Sequence, residues 1–284
     1  MSLAIAPRTA GTDQQMPRHF LDIRDFSGDV IRQIIDLSAR IKALQNNRKN
    51  PLHPDRPLEG RTLGLMLAQP STRTRVSFEV GMGQLGGQVS VLSPGDMQLG
   101  RGETIADTAR VLSRFLDVIV LRTGTDENLR ELAKWSTVPV INGLTPISHP
   151  IQILADVLTF EEHRGPIAGK TLAWIGDGNN VATSLMEAAA LLKFNVRLAT
   201  PEGFAPSERA VAWARQNGAS IEVFQNPAEA VVGADAVLTD TWVSMGDKDR
   251  DQRLAAFRPY QVDAALMAKA APDALFLHCL PAHI

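Results

Sequence analysis

Short apolar runs alternate along this chain with stretches of helical spacing, and no other feature restricts the possible folds so sharply. The runs occupy residues 62–68, 88–92, 118–121 and 138–141, then 171–175, 195–199, 220–224, 236–239 and 274–277. Each is too short for a helix and is separated from the next by a helical pattern, as in parallel βα units. The spacing also predicts a helix over 27–44, where Val30, Ile31, Ile34, Ile35, Leu37, Ile41 and Leu44 recur after a Ser27 cap. A second long helix is expected over 148–163, with Gly165, Pro166 and Gly169 punctuating the chain behind it. The expected fold class is α/β, two domains, each a mostly parallel sheet flanked by helices. They are expected at 1–148 and 166–284, joined by a linking helix at 149–165. Open parallel sheets bind ligands beyond the carboxyl ends of their strands, so motifs matter most there.

Composition removes several classes of function. A formal net charge of −2 gives no global attraction to nucleic acid or an anionic membrane, so any bound anion must be held by locally placed cations. The apolar stretches are interrupted well short of the roughly 20 residues of a spanning helix. The single cysteine, Cys279, excludes an internal disulfide and a thiolate zinc cage. Residues 1–15 read as a frayed tail rather than a targeting peptide, and the cytoplasm is the expected compartment.

Behind the run at 62–68 stands Ser71-Thr72-Arg73-Thr74-Arg75, leading into the apolar pattern of Val76, Phe78, Val80 and Met82. This is a strand, a loop and a helix N-terminus, whose unpaired amides and positive dipole end receive phosphate. Ser71, Thr72 and Thr74 add hydroxyl donors, and Arg73 and Arg75 add forked cations. The plain alternative is a capped helix with two surface arginines. Arginine in a first turn opposes the helix dipole by roughly 0.3–1 kcal/mol, however, and no Glu or Gln completes a capping box. A bound dianion turns that penalty into attraction. Arg122 ends the run at 118–121, and His149-Pro150-Ile151-Gln152 opens the long helix with Pro150 at N1 and His149 at the cap. Taken singly, Arg122 reads as a surface residue and His149 as a structural cap.

The second half offers Trp174-Ile175-Gly176-Asp177-Gly178-Asn179-Asn180, a glycine turn between strand and helix. It lacks the third glycine of a dinucleotide fingerprint, and no acidic residue follows the run at 195–199 to hold a ribose. Asp240-Thr241-Trp242-Val243-Ser244-Met245-Gly246 and His278-Cys279-Leu280-Pro281-Ala282-His283 each follow a strand end. The plain reading makes Asp240 a turn residue and Cys279 a small buried hydrophobe, the commoner fate of a free cysteine.

Together these motifs resemble the aspartate and ornithine carbamoyltransferase family, from about Phe20 onward and in family order. The 177–180 turn, the Ser244-Met245-Gly246 loop and the cysteine of the last segment are similar to the ornithine branch. The resemblance implies transfer of the carbamoyl group of carbamoyl phosphate to the side-chain amine of ornithine, with no metal or other cofactor. It assigns carbamoyl phosphate to Ser71, Thr72, Arg73, Thr74, Gln98, Arg122, His149, Gln152, Cys279 and Leu280, with Gln98 supplied by a neighbouring subunit of a homotrimer. It assigns ornithine to Asn180, Asp240, Ser244 and Met245. Catalysis is expected from Arg122, His149 and Thr74 as donors to the carbonyl oxygen, and from Cys279 beside the reacting amine. His278 is a poor activator for Cys279, because consecutive strand residues face opposite ways.

Two rivals remain at this level: carbamoylation of another amine such as N-acetylornithine or putrescine, and a catalytically silent binding protein of the same fold. The family continues past the histidine matching His283 with an arginine and a helix that returns to the first domain. A polypeptide ending at Ile284 is therefore expected to be severely impaired.

Overall fold

The computed structural model describes residues 19–44, 51–93, 102–243 and 249–282. The elements run in the order α1 (Gly28–Ala43), β1 (Thr62–Leu67), α2 (Thr72–Gln84), β2 (Gln88–Leu92), α3 (Ile105–Leu112), β3 (Val118–Arg122), α4 (Asp126–Trp135) and β4 (Val140–Leu144). The second half adds α5 (Pro150–Arg164), β5 (Thr171–Ile175), α6 (Asn180–Leu192), β6 (Asn195–Ala199), α7 (Glu208–Gln216), β7 (Ser220–Phe224), α8 (Pro227–Ala230), β8 (Ala236–Thr239), α9 (Arg250–Phe257), α10 (Ala264–Met267) and β9 (Leu275–His278). Two compact units result. One holds the residues up to Phe26 with Asp36–Pro146; the other holds Ser27–Ile35 with the residues from Ile147 on. The fold is α/β, as the alternation predicts.

In the first unit the sheet order is β2-β1-β3-β4, with parallel pairing throughout. Alternate residues of β1 enter different cores. Leu63, Leu65 and Leu67 pack with Met82 of α2, while Met66 packs with Ala109 of α3 and Leu129 of α4. Coverage on both faces is why the strand reads as one apolar run. Burying each such leucine stabilises the unit by roughly 1.5–3 kcal/mol.

In the second unit the order is β7-β6-β5-β8-β9, again all parallel. α6 is its buried centre: within it only Asn180 and Leu191 are not fully buried. The expected linking helix, α5, belongs to this unit, and so does the first half of α1. Arg32 of α1 donates two hydrogen bonds to the Glu161 carboxylate of α5, at 2.8 and 2.7 Å. A Cβ on Gly28 would collide with the Leu191 carbonyl at 2.5 Å, so α1 seats on this unit by way of a bare glycine.

Strand order reverses between β1 and β3 in one sheet, and between β5 and β8 in the other. At such a switch point the connections leave to opposite sides and open a crevice at the strands' carboxyl ends. The Ser71–Arg75 segment and Arg122 stand at the first crevice. The 177–180 turn and Asp240 stand at the second.

Candidate active-site groups

Register sets the first group. Leu67 of β1 lies opposite Arg122 of β3, so Arg122 emerges at the level where the chain turns into α2. Ser71 is the N-cap of α2 in extended conformation, yet its hydroxyl caps no amide of the first turn. Instead Ser71 Oγ donates to Thr74 Oγ1 at 2.9 Å, and Arg122 Nη1 donates to the same oxygen at 3.2 Å. Both acceptor positions of the Thr74 hydroxyl are thereby used, which turns its own hydrogen outward as a donor.

Arg122 is half-buried, and its Nε is a buried donor without a hydrogen-bond partner among the described residues. Burial, and then the charge of Arg73, hold its pKa below the ordinary arginine value, although a guanidinium stays protonated throughout the working range. No acidic residue occupies the first turn of α2. Two neighbouring cations, uncapped amides and an orphan donor make a local positive potential that an anion would neutralise. Arg75 differs from Arg73: it forms an exposed i,i+4 pair with Glu79 at 3.3 Å. Thr72, at the first helical position, is exposed.

His149 and Gln152 fall in the second unit, at the start of α5. His149 is the N-cap and Pro150 the first helical residue; the His149 amide donates to Ser184 Oγ of α6 at 2.9 Å. Gln152 Nε2 donates to Asp156 Oδ1, one turn on, at 2.9 Å. Burial first, then the negative charge of Asp240, push the Asp156 carboxyl up to about 7 against the lowering effect of that bond.

The remaining group is built at the ends of β5, β8 and β9. Thr239 of β8 pairs with His278 of β9, which sets the next residues, Asp240 and Cys279, side by side. Cys279 Sγ donates to Asp240 Oδ1 at 2.8 Å, and Asn179 Nδ2 donates to Asp240 Oδ2 at 2.9 Å. The Thr241 amide adds a third donor at 2.6 Å. Asn179 also caps α6, its Oδ1 accepting from the amides of Val181 and Ala182 at 3.0 and 3.2 Å. Asn180 is the first residue of α6. Gly176 turns here at φ 134, and a Cβ on Gly178 would fall inside the backbone of Ala205 and Pro206. Both glycines are steric requirements.

His278 is turned to other work: its Nδ1 accepts from the Leu280 amide at 2.8 Å and holds Leu280 at φ 58. A left-handed leucine costs on the order of 1 kcal/mol, and this bond helps to fix it. Three further residues enter that sequence patterns did not single out. Asn179 anchors Asp240, Asp156 anchors Gln152, and Arg253 of α9 binds the Asp177 carboxylate and, at 2.7 Å, the Trp242 carbonyl. The first two had a local signal available, an Asn at a cap and an Asp at i+4 from Gln152. Gln98, Ser244 and Met245 lie outside the described residues. Among the described residues no cluster of three His, Cys, Asp or Glu side chains is placed to hold a metal, and no helix is long and apolar enough to cross a membrane.

Two family models match the chain. Aspartate/ornithine carbamoyltransferase, carbamoyl-P binding domain, covers residues 18–162; the Asp/Orn binding domain of the same family covers 168–284. The ornithine carbamoyltransferase of Nitrobacter winogradskyi is 57% identical over 94% of this chain and 86% of its own length. That of Rhodopseudomonas palustris strain BisA53 is 55% identical with the same coverage. The solved ornithine carbamoyltransferase from Pyrococcus furiosus superposes with a TM-score of 0.88 at 47% identity, over 94% of this chain and 86% of the other.

Proposed function

The chain belongs to the aspartate/ornithine carbamoyltransferase family, and on that premise we propose that it transfers the carbamoyl group of carbamoyl phosphate to the side-chain amine of L-ornithine. The products are L-citrulline and phosphate, as in arginine biosynthesis or its catabolic reverse. One observation carries the reading beyond family membership: the cationic cluster of Arg122, Thr74 and Ser71 at the β1/β3 switch point, with an orphan donor on Arg122 and no acid in the first turn of α2.

In this reading Ser71, Thr72, Arg73 and the α2 amides hold the phosphate, with Gln98 from a neighbouring subunit. Thr74, Arg122 and His149 donate to the carbonyl oxygen as it gains charge, a stabilisation that grows towards the transition state. Gln152 contacts the carbamoyl part, and the Leu280 backbone lies with Cys279 beside the reacting amine. Asp240 receives the α-ammonium of ornithine, and Asn180, Ser244 and Met245 complete the amino-acid subsite. Cys279 donates its thiol hydrogen to Asp240, which leaves the sulfur lone pairs to accept from the attacking amine and orient it. The amine nitrogen bonds to the carbonyl carbon, the carbon–oxygen bond to phosphate breaks, and the proton shed by nitrogen leaves with the phosphate. Proximity of two bound substrates can supply roughly 7–11 kcal/mol at best.

The same reading makes the protein a cytoplasmic homotrimer acting on small molecules, with no cofactor. Val111 and Phe115 of the first unit, 53% and 76% exposed, support an apolar subunit contact. The test is citrulline formation by purified protein. Ornithine should be used in preference to N-acetylornithine and putrescine, and Arg73→Ala should abolish most of the turnover. An equal rate on all three amines would overturn the substrate assignment, and full activity of Arg73→Ala the phosphate site.

A further inference from the structure

His149, Gln152 and Asp156 form one stripe along the first turns of α5, being spaced three and four residues apart. The side-chain amide of Gln152 has two chemically opposite ends: a carbonyl oxygen that only accepts and an NH2 that only donates. Its NH2 is committed to Asp156 Oδ1 at 2.9 Å. The oxygen is therefore the end left for a ligand. A carbamoyl group presents its own NH2 at one edge, a double donor that an amide oxygen complements and an amide NH2 repels.

We propose that Asp156 is a positioning residue for the transfer reaction: by accepting from Gln152 Nε2 it fixes the amide so that Gln152 offers its oxygen to the amino group of the carbamoyl substrate. This rests on the assignment of Gln152 to the carbamoyl end made above. The hold depends on ionisation. A carboxylate can only accept and selects one amide orientation, whereas a protonated carboxyl can donate to the Gln152 oxygen and stabilise the flipped one. Around Asp156, α6 packs against α5 and carries the buried Glu187, His149 caps the same helix, and Asp240 follows β8. Of these, Asp240 is the one whose charge bears on it, and with burial it brings the carboxyl to about 7. The selecting form dominates above that pH and fades below it.

The test is a double-mutant cycle on the intact enzyme, read as KM for carbamoyl phosphate at saturating ornithine. Gln152→Ala and Asp156→Ala should each raise that KM by roughly five- to fifty-fold, the range for losing a hydrogen bond at a polar group. The double variant should be no worse than either single one, because Asp156 acts only through Gln152. Asp156→Asn keeps the shape and can both donate and accept. It should give an intermediate KM that is flat between pH 6 and 8, where the wild-type KM rises as pH falls. Additive single effects, or identical pH profiles for wild type and Asp156→Asn, would overturn the positioning role while leaving the reaction intact. A Gln152→Ala variant with unchanged KM would overturn the assignment of Gln152 as well, and absence of citrulline formation by the wild type would overturn the function itself.

Discussion

α2 and α6 hold corresponding places: each follows the strand at its sheet's switch point, and each begins beside a candidate substrate group. Their surroundings differ sharply. α6 is buried along nearly all its length, and Asn179 caps its first amides. α2 buries only Met82, and no side chain caps it. Asp240, at the head of α6's group, already receives donors from Asn179, Thr241 and Cys279. At the start of α2, Arg122, Ser71 and Thr74 are a cation and hydroxyl donors, and the first turn carries no acid. The second unit thus offers a carboxylate preassembled by internal hydrogen bonds, while the first presents cations and donors around a helix start with no acid, a positive potential that a bound anion would lower. One is held by packing, and the other is completed by binding.

The contrast can be broken by experiment. The largest effect belongs to Arg122→Ala, which should lower kcat by about 10²–10³-fold, the scale for losing one donor to a developing oxyanion. A change in KM alone would move Arg122 from transition-state to ground-state binding. Next, Leu185→Ala in buried α6 should cost about 2–5 kcal/mol by denaturant titration, and Val76→Ala on α2 about 0.5 or less. Equal losses would mean that α2 is held by packing after all.

Asp156→Asn should stabilise the second unit at pH 8 by on the order of 2 kcal/mol. The sign follows from a folded-state pKa raised to about 7 from 3.8. Ionising the native carboxyl lowers stability as pH rises through that window, and the neutral amide escapes the loss. The gain should vanish near pH 4 in paired melting curves; a pH-independent gain would refute it. Carbamoyl phosphate should slow amide exchange in the first turn of α2 about ten-fold and leave α6 within two-fold, whereas equal protection would erase the distinction. Smallest, Cys279→Ser should lower kcat roughly ten-fold, since a hydroxyl can still donate to Asp240. Retention of most activity would count against any role for the sulfur.

Much of this was legible locally. The runs at 88–92, 171–175, 195–199, 220–224 and 236–239 coincide with β2, β5, β6, β7 and β8. The run at 138–141 is displaced: β4 covers Val140–Leu144 because Asn142 and Gly143 continue the strand while buried. A polar residue there breaks the apolar signal, and only the structure shows Asn142 Nδ2 donating to the Leu21 carbonyl at 2.9 Å. The Ser71–Arg75 segment advertised its anion chemistry because cations in a first turn conflict with the helix dipole. The contact between Cys279 and Asp240 had no local trace, since 39 residues separate them.

The alternation of strand and helix, and the chemistry carried by each strand-end motif, follow from the chain alone, because dihedral preference and apolar period are local properties. Tertiary structure decided the strand order, and with it both switch points; it decided the β8/β9 register that sets a thiol against a carboxylate; and it seated the first half of α1 on the second unit. Parallel strands offer the same backbone donors and acceptors to any neighbour. Which pairs form depends on how the whole core packs, and no short segment contains that information.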